Sequence, residues 1–269
     1  MRNSRPIGIF DSGIGGLTVA REVFRCLPAE KIIYFGDTAR LPYGTKSRQM
    51  VTHFTRQIIK FLLKREVKLI VAACNTASAL ALPALAKRHS PVPLIGVIEP
   101  GVAAALQKTK NGKIGIIGTE GTIRSKAYEK MILAKTASKI KVFSQACPLF
   151  VPLVEEGWLE KEITSLAAQE YLSQFKKNGI DTLILGCTHY PLLKRTIDKI
   201  LGREVKLIDS GRETAWSVKK FLVENNLFSS SKKTGQHVFY VTDAPEKFKK
   251  LGEKFLGEKI KEVNRVELK

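Results

Sequence analysis

Short apolar runs, each followed by glycine or small polar residues, recur along most of the chain. Between them lie longer segments in which apolar side chains return with the period of a helix. The first pattern is typical of buried strands and the second of amphipathic helices. Their alternation predicts an α/β fold with mainly parallel sheets flanked by helices. The predicted strands are residues 7–10, 31–35, 68–73, 94–98, 113–118, 141–144, 182–186, 206–209 and 237–241.

Three of the intervening segments have a clear inner face. The side chains expected on it are Val51, Phe54, Ile58, Phe61 and Leu62 in the first helix, Ile163, Leu166, Ala167 and Tyr171 in the second, and Ala215, Val218 and Leu222 in the third. One acid, Glu170, falls on the face predicted for the second helix. Each helix is therefore expected to pack one stripe against a sheet.

The predicted strand ends occur twice, in the same order. IGIFDSG returns as IGIIGTEG, and the cysteine of ACNT returns as the cysteine of GCTH, at a nearly constant offset. KIIYF and LIGVIEPG have counterparts in KVFS and KLIDSG. Matches at a shared offset indicate a duplicated α/β unit, residues 1–98 and about 99–210, with a C-terminal extension. We predict two pseudo-symmetric domains with the active site between them.

Polar and reactive side chains cluster where the predicted strands end. Ligands of parallel α/β sheets bind outside the carboxyl ends of the strands, so these side chains are candidates for a site. In the first half they are Asp11, Ser12, Asp37, Thr38, Cys74, Asn75 and Thr76, and in the second half Thr119, Thr122, Cys187, Thr188 and His189. If the two halves face each other, Cys74 and Cys187 approach one ligand from opposite sides.

A thiol on each side of a small molecule suits racemisation of a carbon acid. The reaction removes a proton from one face and returns one to the other, which two bases achieve more simply than one. A free thiol is mostly protonated at neutral pH, so the neighbours of Cys74 and Cys187 must favour the ionised form. Helix starts after both cysteines offer free N–H groups for this purpose. The same N–H groups, with hydroxyls of Ser12, Thr76 and Thr188, can hold a substrate carboxylate.

Other interpretations exist for the cysteines. A lone cysteine after a buried strand is usually a small core residue, and we assign Cys26 and Cys147 to that class. Cys74 and Cys187 differ because they occupy equivalent strand ends and each precedes polar residues. The four cysteines form no CxxC pair, so thiol redox chemistry fits poorly.

Further candidate residues also have simpler explanations. DSGIGG does not match the GxGxxG spacing of a dinucleotide loop, and Asp11 would repel a phosphate. Its glycines more readily serve a tight turn and close helix packing. His189 can instead cap the helix that follows it, Glu155 can be a surface acid, and Tyr43 with Gly44 can form only a turn.

Composition narrows the class of protein. The 269 residues are 44% hydrophobic and 26% charged, as in globular proteins, and no apolar run is long enough to span a membrane. We expect a cytoplasmic protein without a signal peptide. The net charge of +20 is spread over predicted helices, which favours solvated helix faces. Attraction of anionic substrates, of nucleic acid or of another acidic partner remains an alternative.

Taken together, the motifs resemble those of the glutamate racemases in the cofactor-independent amino-acid racemase family. The matching stretches are FDSGIGGLTV (10–19), YFGDTARLPYG (34–44), ACNTASA (73–79), GVIEPG (96–101), IGIIGTEGTIRSKAY (114–128), ACPLFVPLVEEG (146–157), LILGCTHYPLL (183–193) and LIDSG (207–211). The resemblance implies interconversion of L- and D-glutamate without a cofactor, which supplies D-glutamate for peptidoglycan. It also implies domains of residues 1–98 plus 210–269, and 99–209, and a homodimer.

The resemblance also implies roles for individual residues. Cys74 and Cys187 become the proton-transfer groups, with Asp11 assisting on the Cys74 side and His189 with Glu155 on the Cys187 side. Substrate-contacting positions are Asp11, Ser12, Tyr43, Gly44, Asn75, Thr76, Thr188 and His189, to which the strand ends add Thr119 and Thr122. Two alternatives stay open: an aspartate racemase of the same family, and a basic nucleic-acid-binding protein with a vestigial site.

Overall fold

A computed structural model describes residues 4–85, 92–136, 139–229, 231 and 233–268. Its strands form two parallel sheets. The first sheet contains β1 (Ile7–Asp11), β2 (Ile32–Gly36), β3 (Leu69–Ala72), β4 (Leu94–Gly96), β9 (His237–Val241) and β10 (Val263–Arg265). The second contains β5 (Lys113–Gly118), β6 (Lys141–Ala146), β7 (Thr182–Gly186) and β8 (Lys206–Asp209). The predicted α/β class with parallel sheets is confirmed.

Strand order confirms the predicted duplication. The first sheet contains the order β2-β1-β3-β4 and the second the order β6-β5-β7-β8, so each strand has a counterpart at the same position. The C-terminal extension adds β9 and β10 beyond β2, giving the first sheet six strands. Because β3 and β7 are equivalent, the loops that follow them are equivalent too.

Helices cover the faces of both sheets. Those of the first half and the connection are α1 (Leu17–Cys26), α2 (Arg48–Leu63), α3 (Asn75–Leu80), α4 (Leu82–Leu85) and α5 (Ile98–Lys108). The second half contributes α6 (Glu120–Ser125), α7 (Ala127–Lys135), α8 (Phe150–Glu155), α9 (Glu162–Asn178) and α10 (Lys194–Leu201), and the extension α11 (Ser210–Glu224) and α12 (Pro245–Leu256). In the described part of the chain, no helix is long and apolar enough to cross a membrane.

The inner faces of two helices agree with the periodicity, and that of α9 does not. In α2, Val51, Phe54, Ile58 and Leu62 are buried and Phe61 is half-buried; in α11, Ala215, Val218 and Leu222 are buried. In α9 the buried side chains are Thr164, Ala168, Leu172 and Phe175, whereas Ile163 is 52% and Leu166 57% exposed. The prediction for α9 was wrong because the large Leu172 and Phe175 side chains determine which stripe packs inward.

Two strand predictions also need correction. The strand expected over residues 94–98 ends at Gly96, since Ile98 already begins α5. Strand β10 was not predicted, because its three residues, Val-Asn-Arg, lack an apolar run. It pairs only with β9 and forms an edge of the sheet, where polar residues are tolerated.

A buried ion pair fastens the C-terminal extension to the first sheet. The Lys68 ammonium lies 2.6 Å from the Glu30 carboxylate, and both side chains are almost completely buried. Lys68 Nζ also donates to the Leu227 carbonyl at 2.7 Å, and the Ser229 N–H donates to Glu30 at 2.7 Å. Both charges therefore bind the chain segment that leads from α11 to β9.

Candidate active site

Cys74 and Cys187 line one cavity at the carboxyl ends of β3 and β7. The cavity has a volume of about 410 Å³, which is within the range of small-molecule sites. Cys74 is 5% and Cys187 6% exposed, so both thiols are largely screened from bulk water. The other predicted site residues that line the cavity are Ser12, Tyr43, Gly44, Asn75, Thr76, Thr119, Glu155, Thr188 and His189. Residues of both halves of the chain line this cavity, which makes it the candidate for the site predicted between the two domains.

Cys74 occupies the position that caps α3. The N–H of Ala77 donates to its sulfur at 3.4 Å, and the thiol lies 3.8 Å from the hydroxyl oxygen of Ser12. Burial raises the pKa of Cys74 to about 12, and the negative charge of Asp11 adds to the effect; the two hydrogen bonds only partly offset it. The expectation that the surroundings favour the ionised form is therefore wrong for Cys74 in the protein alone.

Cys187 begins a chain of polar contacts through His189 to Glu155. The sulfur lies 3.8 Å from His189 Nδ1, and His189 Nε2 lies 3.0 Å from the Glu155 carboxylate. Burial by itself lowers the pKa of His189, but the hydrogen bonds to Cys187 and Glu155 outweigh it and raise this pKa to about 10. Burial raises the pKa of Glu155, but contact with His189 outweighs it and the net shift is downward. These contacts favour the charged form of the imidazole.

The two simpler explanations for this chain of contacts do not hold. His189 precedes the 3-10 turn Tyr190–Leu193, but its side chain makes no capping hydrogen bond there. Glu155 is only partly exposed, and its carboxylate is bound to the imidazole rather than free on the surface. Both side chains are held toward Cys187.

Asp11 lies behind the cavity wall and does not line the cavity. It is 1% exposed, and one carboxylate oxygen accepts from the Gly13 N–H at 3.0 Å. Burial raises the pKa of Asp11; the charge of His189 and the neighbouring N–H groups oppose this only in part. Asp11 is not among the residues that line the cavity, so its direct contact with a substrate stays a prediction.

Close packing at Gly15 joins the β1–α1 loop to the Cys187 loop. A Cβ atom at Gly15 would lie 2.2 Å from Thr188 Oγ1 and 2.4 Å from the His189 ring. The Thr18 hydroxyl, one turn further, lies 2.8 Å from the Thr188 carbonyl oxygen, to which it donates. The close packing predicted for the DSGIGG glycines is thus confirmed at Gly15.

Three threonine hydroxyls join the two halves at the far side of the cavity. Thr76 Oγ1 lies 2.9 Å from that of Thr119 and 3.3 Å from that of Thr122, and the latter two are 3.0 Å apart. Thr76 and Thr119 line the cavity, whereas Thr122 lies behind them. Thr122 is therefore placed to hold the other two rather than to meet a ligand.

Tyr43 lines the cavity within the 3-10 turn Tyr43–Thr45. Its hydroxyl donates to Asp37, which also accepts from Arg40 Nε at 2.7 Å. The turn interpretation and the site interpretation of Tyr43 and Gly44 therefore both apply. The hydroxyl proton of Tyr43 is engaged by Asp37 and is not free to be donated to a ligand.

Part of the cavity wall was not predicted. The additional lining residues are Leu41, Pro42, Thr45, Glu120, Pro148, Val151 and Pro152. Glu120 could have been predicted as a lining residue because it directly follows Thr119 at a strand end. The apolar lining residues have no comparable sequence pattern that marks them as part of a site. Among the described residues, no lysine or arginine lines the cavity and no group of His, Cys, Asp and Glu side chains is arranged to hold a metal ion.

The chain is similar to known proteins over nearly its whole length. The family model for Asp/Glu/Hydantoin racemase matches residues 7–218. The glutamate racemase of Geobacter metallireducens is 52% identical over 264 residues, which cover 98% of this chain and 97% of the relative. The crystal structure of glutamate racemase from Francisella tularensis in complex with D-glutamate matches with a TM-score of 0.92 at 45% identity, covering 99% of this chain and 98% of that one.

Glutamate racemase isoform RacE1 from Bacillus anthracis matches with a TM-score of 0.94 at 42% identity, again covering 99% of this chain and 98% of that one. These similarities include both cysteine loops and both sheets. The chain belongs to the Asp/Glu/Hydantoin racemase family.

Proposed function

We propose that the chain is a glutamate racemase, an isomerase that inverts the Cα of glutamate by transfer of protons to and from two cysteines. The observation that carries the proposal is the position of Cys74 and Cys187 at equivalent strand ends, lining one cavity. The relatives of high identity are glutamate racemases, which supports glutamate as the substrate.

Racemisation leaves the composition of the substrate unchanged, since one proton leaves Cα and one returns. One cysteine, as thiolate, removes the Cα proton from one face, and the electron pair left on Cα delocalises into the adjacent carboxylate. The other cysteine, as thiol, donates its proton to the opposite face. Cys74 and Cys187 exchange protonation states in each turnover, and the reverse reaction uses them in the opposite order.

The two cysteines are activated differently. On the Cys187 side, the His189 cation held by Glu155 stabilises a thiolate or gives a proton to one. On the Cys74 side, burial and Asp11 both oppose ionisation. The ammonium group of bound glutamate supplies the missing positive charge there, so Cys74 becomes a base only when the site is occupied.

Among the described residues, neutral side chains rather than a lysine or arginine are available to hold the substrate carboxylates. The lining offers hydroxyls of Ser12, Thr76, Thr119 and Thr188 and the amide of Asn75. Neutral donors of this kind bind carboxylates by hydrogen bonding and add no fixed cation to compete with His189. Release of either enantiomer is correspondingly easier.

Deuterium exchange tests the two-cysteine mechanism. In D2O the wild type converts each enantiomer to the other with deuterium at Cα. Cys74→Ser and Cys187→Ser each lose racemisation, and each exchanges the Cα proton of only one enantiomer, the two variants choosing opposite ones. Cys26→Ser, a half-buried cysteine outside the cavity, is the control. Racemisation that survives in both site variants contradicts the mechanism.

The substrate is tested separately. Aspartate is one methylene shorter than glutamate, so its side-chain carboxylate cannot reach the same donors while Cα stays between the sulfurs. We expect turnover of glutamate to exceed that of aspartate by at least about a hundredfold in kcat/KM. A preference for aspartate would assign the chain to the other branch of the family.

Three further expectations rest on the resemblance alone. D-glutamate made by the enzyme enters peptidoglycan, so expression of this chain should restore growth of a bacterium that requires D-glutamate. The chain divides into domains of residues 1–98 plus 210–269, and 99–209, and forms a homodimer. Light scattering during size-exclusion chromatography measures the mass, and a monomer at micromolar concentration contradicts the dimer.

A further inference from the structure

Tyr128 of α7 lies behind the cavity and contacts the loops of both cysteines. Its side chain is 2% exposed, and its hydroxyl lies 2.6 Å from Asn75 Oδ1, next to Cys74. The ring passes close to Gly186, which precedes Cys187: a Cβ atom there would lie 3.3 Å from Tyr128 Cε2. Tyr128 therefore connects the second half of the chain to a residue that lines the cavity from the first half.

The hydrogen bond from Tyr128 goes to the oxygen end of the Asn75 amide. A carbonyl oxygen can only accept, so the single hydroxyl proton of Tyr128 goes to Asn75 Oδ1. The Tyr128 oxygen remains able to accept from Ser210, whose hydroxyl oxygen lies 3.3 Å away. Since Oδ1 is held by Tyr128, the NH2 group is at the end of the amide turned away from that ring.

We propose that Tyr128 is a positioning residue that holds the Asn75 amide with its NH2 group toward the substrate carboxylate. The inference rests on the proposed function, because it assumes that Asn75 binds glutamate. An amide rotated by half a turn would present its oxygen to the carboxylate, where two acceptors repel each other. With Oδ1 bonded to Tyr128, the amide already presents its NH2 group before the substrate arrives.

Tyr128→Phe isolates the effect of the hydroxyl. The variant keeps the ring beside Gly186 and loses only the hydrogen bond to Asn75. If Asn75 contacts the carboxylate equally in the ground and transition states, KM rises about five- to tenfold and kcat changes less than about twofold. Tyr171→Phe, which removes the hydroxyl of a partly exposed tyrosine outside the cavity, is the matched control and keeps the wild-type KM.

A double-mutant cycle with Asn75→Ala separates positioning from a structural role. If Tyr128 acts through Asn75, Tyr128→Phe leaves KM unchanged when Asn75 is already alanine. An equal rise of KM in both backgrounds overturns the inference. A fall in thermal stability with wild-type KM also overturns it, because the hydroxyl then serves only the fold. Ser210→Ala, which keeps the Tyr128–Asn75 bond, raises KM less than Tyr128→Phe.

Calorimetric binding of D-glutamate gives a readout that does not depend on turnover. We expect Tyr128→Phe to weaken binding by the same factor by which it raises KM. If the wild type neither racemises nor binds glutamate, the proposed function fails and the role of Tyr128 fails with it. If the wild type does both and the cycle is additive, only the role of Tyr128 is refuted.

Discussion

The contact between Glu155 and His189 sets how the enzyme responds to pH. In the folded protein the pKa of His189 is raised from 6.5 to about 10, which corresponds to about 5 kcal/mol in favour of the cation. Cys187 and Glu155 share this effect, and Glu155 is partly open to water, so we assign about 2 kcal/mol to its carboxylate. In Glu155→Gln the pKa of His189 should therefore fall to about 8.5.

The sign of the effect on stability follows from the same shift. A histidine whose folded pKa is raised adds stability that is complete below its unfolded pKa and is lost as pH rises through the folded value. The wild type should therefore lose this contribution between about pH 6.5 and pH 10, and Glu155→Gln between about pH 6.5 and pH 8.5. The variant should be about 2 kcal/mol less stable at pH 6, and the difference should vanish above about pH 10.

Two measurements check this prediction. NMR titration of the His189 ring gives its pKa directly, and urea unfolding at pH 6 and pH 10.5 gives the difference in the free energy of unfolding. Glu156→Gln, at the exposed neighbouring acid, is the control and leaves both quantities unchanged. A His189 pKa that stays near 10 in Glu155→Gln, or an equal loss of stability at both pH values, would show that Glu155 does not cause the shift.

Three more results are expected. Lys68→Met should lower the free energy of unfolding in urea by about 3–5 kcal/mol because it leaves the Glu30 charge buried without its ion partner, while KM and kcat of the folded enzyme stay unchanged. Gly15→Ala should reduce kcat/KM by at least about a hundredfold because the new methyl group collides with the Cys187 loop. Gly13→Ala should reduce kcat/KM far less, because the nearest atom to its new methyl group is at the end of a leucine side chain, 2.8 Å away. Burial lowers the pKa of His237 to about 4, so its contribution should be present above about pH 6.5 and be lost as pH falls to about 4, and His237→Phe should flatten that part of the stability curve.

The sequence was sufficient for the features that depend on strand ends. The bounds predicted for β5, β7, β8 and β9 agree with the structure, because each is a continuous apolar run that stops at a sharp change in polarity. The repeat then related one strand to another, and this relation predicted that Cys74 and Cys187 belong to one site; both line the same cavity. The apolar runs and the sequence repeat therefore predicted the same strand ends.

The features that could not be predicted from the sequence depend on the tertiary packing around a residue. The inner face of α9 was wrong because two stripes of apolar residues compete there, and only packing decides between them. The pKa of Cys74 depends on its burial and on Asp11, which a strand-end pattern does not reveal. Pro148 and Val151 line the cavity because α8 turns toward it, although nothing in their chemistry marks them.

The matching strand order of the two sheets has an evolutionary consequence. Under the proposed mechanism, one copy of the four-strand unit contributes a single cavity thiol, Cys74 or Cys187, and can reach a substrate from one face only. Such an ancestor would exchange the Cα proton of one enantiomer with solvent without inverting the configuration. Gene duplication and fusion would then have turned a catalyst that acts on one enantiomer into one that interconverts both, with no new type of residue required.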